Sequence, residues 1–419
     1  MRFHKKLLII PVIASMILTG CAGGGRIAKG GKAAAPDFST ASGDATKDLV
    51  VSVGSEDDEP VLQTIAENFK KDNPDFPYTV KTVVISESDV KNQILSDINS
   101  APDVFTFADD QLSALAASGI LTEVTNGSAK SSNVEAAVKA ASIGDKLYAY
   151  PMTADNGYFM YYDKSFFSDS DLKSLDGMMK KAAAAGKKIT MDFSSGWYLY
   201  SFYGKTGLRL GLADDGLTNV CDWNSKKNDP TGLDVANAIY AVAQNKGFES
   251  GGDDVLTAGA KDGSVVAGVS GTWLSTDMAA VWGKNLGATK LPTYTCNDRQ
   301  IQMASYAGYK MVGVNSYSSK KTWADKFAAY MTNNKSQTLR FEKRGQGPSN
   351  TMAASSDEVK KSVAIQALLA QSGNSSLQRL GQKFWDASSA YGMSMVNGTK
   401  PTQKELDTLV KDITGSVTD

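Results

Sequence analysis

The chain has one histidine, His4, in 419 residues. Everything after it lacks an imidazole, which removes Ser-His-Asp and Cys-His nucleophilic catalysis and every histidine-based metal site. Three cysteines occur, Cys21, Cys221 and Cys296. Two of them far apart cannot form a four-cysteine zinc site, so no metal is expected. Cys221 and Cys296 have two readings: a disulfide, if the chain works in an oxidising compartment, or two buried thiols. Gly204-Lys205-Thr206 looks like the end of a phosphate loop, but Leu199 stands where that loop needs glycine. Ser170 to Lys173 and Lys205-Thr206-Gly207 match two penicillin-binding motifs, with the middle Ser-x-Asn element missing between them. Carboxylates are abundant. Glycosidase carboxylates meet in space rather than in sequence, so spacing neither supports nor removes that chemistry.

The remaining candidates are carboxylates and aromatic rings, and the elements around them decide where they sit. Residues 48–53 form a short β-branched run that predicts a strand, ended by Gly54. Pro60 opens a helix carrying Val61, Leu62, Ile65 and Phe69 at helical spacing. A second strand is expected over 78–85, a second helix with Val90, Ile94 and Ile98 on one face, and a third strand over 103–107. Strand, helix, strand, helix, strand implies a parallel sheet, with ligands beyond the carboxyl ends of its strands. Those ends carry Glu56, Asp57 and Asp58, then Asp109, Asp110 and Gln111. Further along come a long helical region over 168–186, an aromatic cluster at Trp197-Tyr198-Leu199-Tyr200, strands near 265–269 and 309–314, and a helix over 323–331.

The N-terminus has another character. Arg2, Lys5 and Lys6 precede an apolar run over 7–18 and the small residues Thr19 and Gly20, the layout of a secretory signal. The run of about 12 residues is too short to span a bilayer. Leu18-Thr19-Gly20-Cys21 resembles the lipobox of bacterial lipoproteins, which implies removal of residues 1–20 and a lipid on Cys21. Residues 21–47 are rich in Gly, Ala, Ser and Thr and read as a flexible tether. Whole-chain charge is -1, from 44 basic and 45 acidic residues. Without Arg2, Lys5 and Lys6 the balance is 41 to 45, and no basic block points to nucleic acid. About 370 residues follow the tether, enough for two domains.

Four stretches carry a wider resemblance. Ala101-Pro102-Asp103-Val104-Phe105 leads into Asp109-Asp110-Gln111-Leu112, and Gly144-Asp145-Lys146-Leu147-Tyr148 leads into Tyr161-Tyr162-Asp163-Lys164. Gly271-Thr272-Trp273 follows, and Gly313-Val314-Asn315 precedes the Gly345-Gln346-Gly347-Pro348-Ser349 turn. In this order the chain resembles the substrate-binding lipoproteins of carbohydrate ABC importers, the maltose-binding type. The resemblance implies an α/β, two-lobed periplasmic-binding-protein-like fold with a cleft and hinge strands between the lobes. The N-terminal lobe would hold 48–154 and 307–335, and the C-terminal lobe 155–306 and 336–419. The chain would pass between lobes near 153–158, 304–309 and 333–340.

It also implies a monomeric receptor without cofactor on the extracellular face of a bacterial membrane, binding an oligosaccharide and docking on a permease driven by a cytoplasmic ATPase. A maltooligosaccharide is the first expectation, a raffinose-type or fructan-derived chain the alternative. A glycoside hydrolase and a sugar sensor are the competing classes. The family pattern places Glu56, Asp57, Asp58, Phe107, Asp110, Gln111, Asp155 and Asn156 at the cleft. Phe107 stands where the family has tryptophan, and Gln111 where it has arginine. The stacking platforms would be Trp197 or Tyr198, Trp273 and Trp385. Tyr306, Tyr309 and Lys310 lie at a hinge crossing, as cleft contacts or as packing. Trp223, Trp282 and Trp323 are expected in the cores.

Overall fold

A computed structural model describes residues 47–213 and 218–416. The expected leader, Cys21 and all but the end of the tether lie outside the described residues. Two α/β lobes follow.

The first lobe is built on a five-stranded sheet in the order Thr79–Val84, Asp48–Val53, Val104–Ala108, Lys310–Val314, Tyr150–Thr153. The first three strands are parallel, and Lys310–Val314 runs against both of its neighbours. Leu49, Val51 and Val53 are fully buried, and every residue of Val104–Ala108 is buried. The helix Glu59–Asp72 covers this sheet with Val61, Leu62, Ile65 and Phe69. Phe69 meets Phe76 and Phe327 edge to face at 5.0 and 5.1 Å. Burying a side chain of this size contributes about 2–3 kcal/mol. Asp103 ties the sheet to the later chain: its carboxylate accepts from the Val50 N–H at 2.8 Å and pairs with Lys320 at 3.0 Å.

The second lobe has the sheet order Phe248–Ser250, Lys188–Met191, Val265–Gly271, Tyr158–Asp163, Leu286–Thr289. Tyr158–Asp163 is antiparallel to both of its neighbours. Its core is aromatic, with Trp223 fully buried and stacked on Tyr203 at 3.8 Å. The expected helix over 168–186 is shorter. A 3-10 turn at Asp171–Lys173 precedes the helix Leu175–Ala184, which is capped when Ser174 accepts from the Gly177 N–H. Trp282 packs in the second lobe and Trp323 against Phe69 and Phe76 in the first.

Three passages join the lobes. Residues 154–157 form the first, where the Asn156 N–H donates to the Gly308 carbonyl at 3.2 Å. The second holds Ser305–Ala307, paired in parallel with Ser375–Leu377, just before Lys310–Val314 enters the first sheet. The third falls later than 333–340. The helix Asn334–Arg344 packs on Glu59–Asp72, and its Gln337 donates to the Pro151 carbonyl at 3.2 Å. Thr351 N–H still donates to Ser132 of the first lobe at 2.9 Å. The next helix of this stretch to pack on the second sheet is Val363–Gln371. Residues 336–354 therefore belong to the first lobe, held there by hydrogen bonds that hydrophobic periodicity does not reveal.

Cys221 and Cys296 are free thiols, not a disulfide. Burial pushes Cys221 up to about 12 and Cys296 up to about 11, so neither is a ready nucleophile. No described helix is long and apolar enough to cross a membrane.

Candidate functional site

A cavity of about 830 Å³ lies between the lobes and is lined from both. The first lobe supplies loops at the carboxyl ends of its three parallel strands: Asp57 and Asp58, then Ser86 and Glu87, then Asp110 and Gln111. This is the edge at which a parallel sheet offers its loops to a ligand. The second lobe supplies Trp197 from the helix Gly196–Tyr203, Trp273 from the turn Thr272–Leu274 and Trp385 from the helix Gln382–Val396. Asp253, Asp254 and Asp277 stand beside them.

The lining holds eight carboxyl groups and three cations, Lys91, Lys310 and Arg344. Two of the cations are already engaged. Lys310 pairs with Glu87 at 3.2 Å, both side chains largely buried. Burial pulls the Lys310 ammonium down, but Glu87, Asp155 and Asp58 outweigh it and hold it above the ordinary lysine value. Arg344 reaches Asp58 at 3.2 Å and Asp57 at 3.4 Å. The cleft is therefore acidic, and two of its three cations are spoken for. Removing one member of such a pair leaves an uncompensated buried charge.

Asp109 and Asp110 form a second feature. Burial raises Asp109 to about 6 against the N–H bond from Tyr309 and the charge of Arg379. Burial and then the Asp109 charge raise Asp110 to about 7, against a hydrogen bond from Gln378 and the charge of Lys91. One oxygen of each, Asp109 Oδ2 and Asp110 Oδ1, is buried with no hydrogen-bond partner. Gln378 comes from the second lobe and lines the same cavity as Asp110, whereas Asp109 is turned onto the second passage, where it accepts from the Tyr309 N–H.

The aromatic wall is ordered. The rings of Trp197 and Trp273 lie 5.7 Å apart, tilted by 35°. The Trp273 Nε1–H donates to Asp253 Oδ2 at 2.7 Å, and Lys310 Nζ sits 5.9 Å over the Trp273 ring. Trp385 rests on Phe384 at 4.7 Å and Tyr306 at 6.3 Å. Aromatic faces beside carboxylates and amides suit a ligand with apolar faces and hydroxyl edges.

Of the residues singled out from sequence, Asp57, Asp58, Asp110, Gln111, Asn156, Trp197, Trp273 and Trp385 line this one cavity. Gln111 lines it with its amide committed: Oε1 accepts from the Lys91 N–H at 2.8 Å, and Nε2 donates to the Glu87 carbonyl. Glu56 is exposed outside the lining. Phe107 is corrected from the cleft to the first core, fully buried and 5.8 Å from Phe105. Asp155 is also withdrawn from the cavity wall. It is buried in the first passage, where Oδ2 accepts from the Thr272 hydroxyl and the Gly347 N–H. Tyr198 is buried behind the wall, 4.9 Å from Tyr158. Tyr309 packs on the first core and donates its N–H to Asp109 at 3.0 Å.

Sequence reasoning missed Glu87, Asp253, Arg344 and Gln378. Glu87 had a readable signal, because it follows the second parallel strand just as Asp57 follows the first. Asp253 and Arg344 sit at a helix start and a helix end, and nothing local distinguishes them from ordinary terminal charges.

The sequence profile of bacterial extracellular solute-binding proteins matches residues 64–367. The galactooligosaccharide-binding protein of Bacillus subtilis (strain 168) is 26% identical over 285 residues, which cover 65% of this chain and 66% of that protein. A solved structure with acarbose is 30% identical, with a TM-score of 0.79, covering 88% of this chain and 98% of the other. The maltodextrin-binding protein of L. casei BL23, solved without ligand, is 25% identical with a TM-score of 0.71, covering 87% of this chain and 98% of its own. With the match spanning most of the chain and the same two lobes around one cleft, this protein belongs to the bacterial extracellular solute-binding protein family.

Proposed function

We propose that this protein is a receptor that captures an oligosaccharide, a maltooligosaccharide first, and delivers it to an ABC importer. The observation that carries this reading is the cleft wall of Trp197, Trp273 and Trp385 facing carboxylate-bearing loops of the other lobe. Three indoles give a chain of sugar rings separate faces to stack on, and the opposite loops meet the hydroxyl edges. The relative solved with acarbose and the name of the maltodextrin-binding relative support the same ligand class. The receptor would close on its ligand and present it to membrane permease subunits driven by an ATPase, catalysing nothing itself. A lipid on Cys21 would hold it as a monomer at the extracellular face of the membrane on the 21–47 tether.

A second ligand reading, a galactooligosaccharide, is favoured by the name of the Bacillus subtilis relative. Titration calorimetry with maltotriose and with a β-linked galactotriose separates the two. Chromatography of the sugar after incubation separates receptor from hydrolase, since a receptor returns it at its original length. Metabolic labelling with palmitate tests the anchor. Label that persists in Cys21→Ser would remove that part of the reading.

A further inference from the structure

We propose that Asp253 is the positioning residue of the Trp273 platform, setting the face that the cleft offers to a sugar. The inference rests on the sugar-receptor reading of the cleft and names a residue that makes its central ring work. Asp253 opens the helix Asp253–Asp262, where the free N–H groups of the first turn favour a carboxylate. Both of its oxygens are used. Oδ1 accepts from the Ser270 hydroxyl at 2.6 Å and Oδ2 from the Trp273 Nε1–H at 2.7 Å. A line of bonds thus runs from Ser270, on the buried strand Val265–Gly271, through Asp253 to the edge of the ring.

The remaining restraints on Trp273 are packing contacts. The ring folds back over Gly271, where an added Cβ would collide with the indole. Tyr161 holds the Gly271 carbonyl at 2.9 Å. Trp197 flanks the ring, and Lys310 lies over it. Among these contacts the N–H bond to Asp253 is the one hydrogen bond the indole makes, and so the directional restraint on it. Asparagine keeps the shape but loses the charge: its neutral amide oxygen accepts the indole N–H more weakly than a carboxylate does, and its amide nitrogen must donate to a Ser270 hydroxyl that has turned round.

The test is a double-mutant cycle, Asp253→Asn with Trp273→Phe, read by calorimetry with maltotriose and galactotriose. Phenylalanine keeps a ring and has no N–H to hold. In the Trp273 protein Asp253→Asn should weaken binding about tenfold, the scale of a bond to a charged group. In the Trp273→Phe background it should change binding by less than about twofold, since the coupled partner is gone. The emission of Trp273, taken as wild type minus Trp273→Phe, should shift in Asp253→Asn without sugar present. Ser270→Ala, which keeps the carboxylate, should shift it in the same direction by less. Equal weakening in both backgrounds would overturn the proposal, because Asp253 would then act on the sugar itself. An unmoved emission difference would also overturn it. If wild type binds neither sugar, the receptor reading falls, and the emission difference alone still decides the role of Asp253.

Discussion

Replacing Asp110 by asparagine should stabilise the sugar-free protein, and more so at pH 8 than at pH 5. Asp110 titrates at about 7 in the folded protein against an ordinary 3.8. A carboxyl raised in the folded state binds its proton more tightly there than in the unfolded chain. Its contribution to stability is therefore full below about pH 4 and is lost as pH rises toward 7. At roughly 1.4 kcal/mol per tenfold, the gap sets a ceiling of about 4 kcal/mol. Asp110 is only half-buried and shares its charge with Asp109 and Lys91, which brings the expected gain at pH 8 to about 1–2 kcal/mol. Asparagine can keep the bond to Gln378 and removes the repulsion from Asp109. In a protein of this size the gain corresponds to about 1–3 °C in Tm, shrinking toward zero near pH 4. Thermal unfolding of both proteins between pH 4 and 8 measures it. Equal melting curves at every pH, or a variant less stable at pH 8, would refute the reasoning. The same variant should lose sugar affinity, because it turns an unpartnered carboxylate oxygen at the cleft into a neutral amide.

Trp273→Ala should weaken sugar binding by about 1–2 kcal/mol while leaving the melting temperature nearly unchanged, measured by calorimetry and thermal unfolding. Phe107→Ala should do the reverse, costing about 3–5 kcal/mol of stability in urea titration, with sugar contacts untouched because the ring lies in the first core. Thiol reagents should label Cys221 and Cys296 slowly in the native protein, and both should become reactive in denaturant without reductant. Labelling that requires prior reduction would mean a disulfide.

Much of the first lobe could be read directly from the chain. The β-branched run at 48–53, the helical spacing from Val61 to Phe69 and the repetition of strand and helix are local signals, and all became elements near the expected residues. The strand ends then pointed to Asp57, Asp58 and Asp110 because sheet topology puts such loops at one edge. Phe107 misled for a physical reason. Every position of Val104–Ala108 is buried, so alternation gives no outward face, and the residue that corresponds to a family tryptophan turned into the core. Asp155 misled because a carboxylate in a crossing segment has two kinds of partner, a ligand or the hinge, and here the Thr272 hydroxyl and the Gly347 N–H take it. Arg344 and Asp253 stayed invisible because their partners are hundreds of residues away or in another element, as Asp58 is for Arg344.

The measurement closest to the central claim is a calorimetric panel of maltotriose, galactotriose and trigalacturonate against the wild-type protein. Eight carboxyl groups line the cleft and two of its three cations are paired, so an acidic chain meets repulsion throughout. The account predicts saturable binding of a neutral trisaccharide with a negative heat-capacity change, no binding of trigalacturonate, and sugar recovered at its original length. Binding of trigalacturonate at least as tight as the neutral sugars, no heat from either neutral trisaccharide, or shortened products would contradict it.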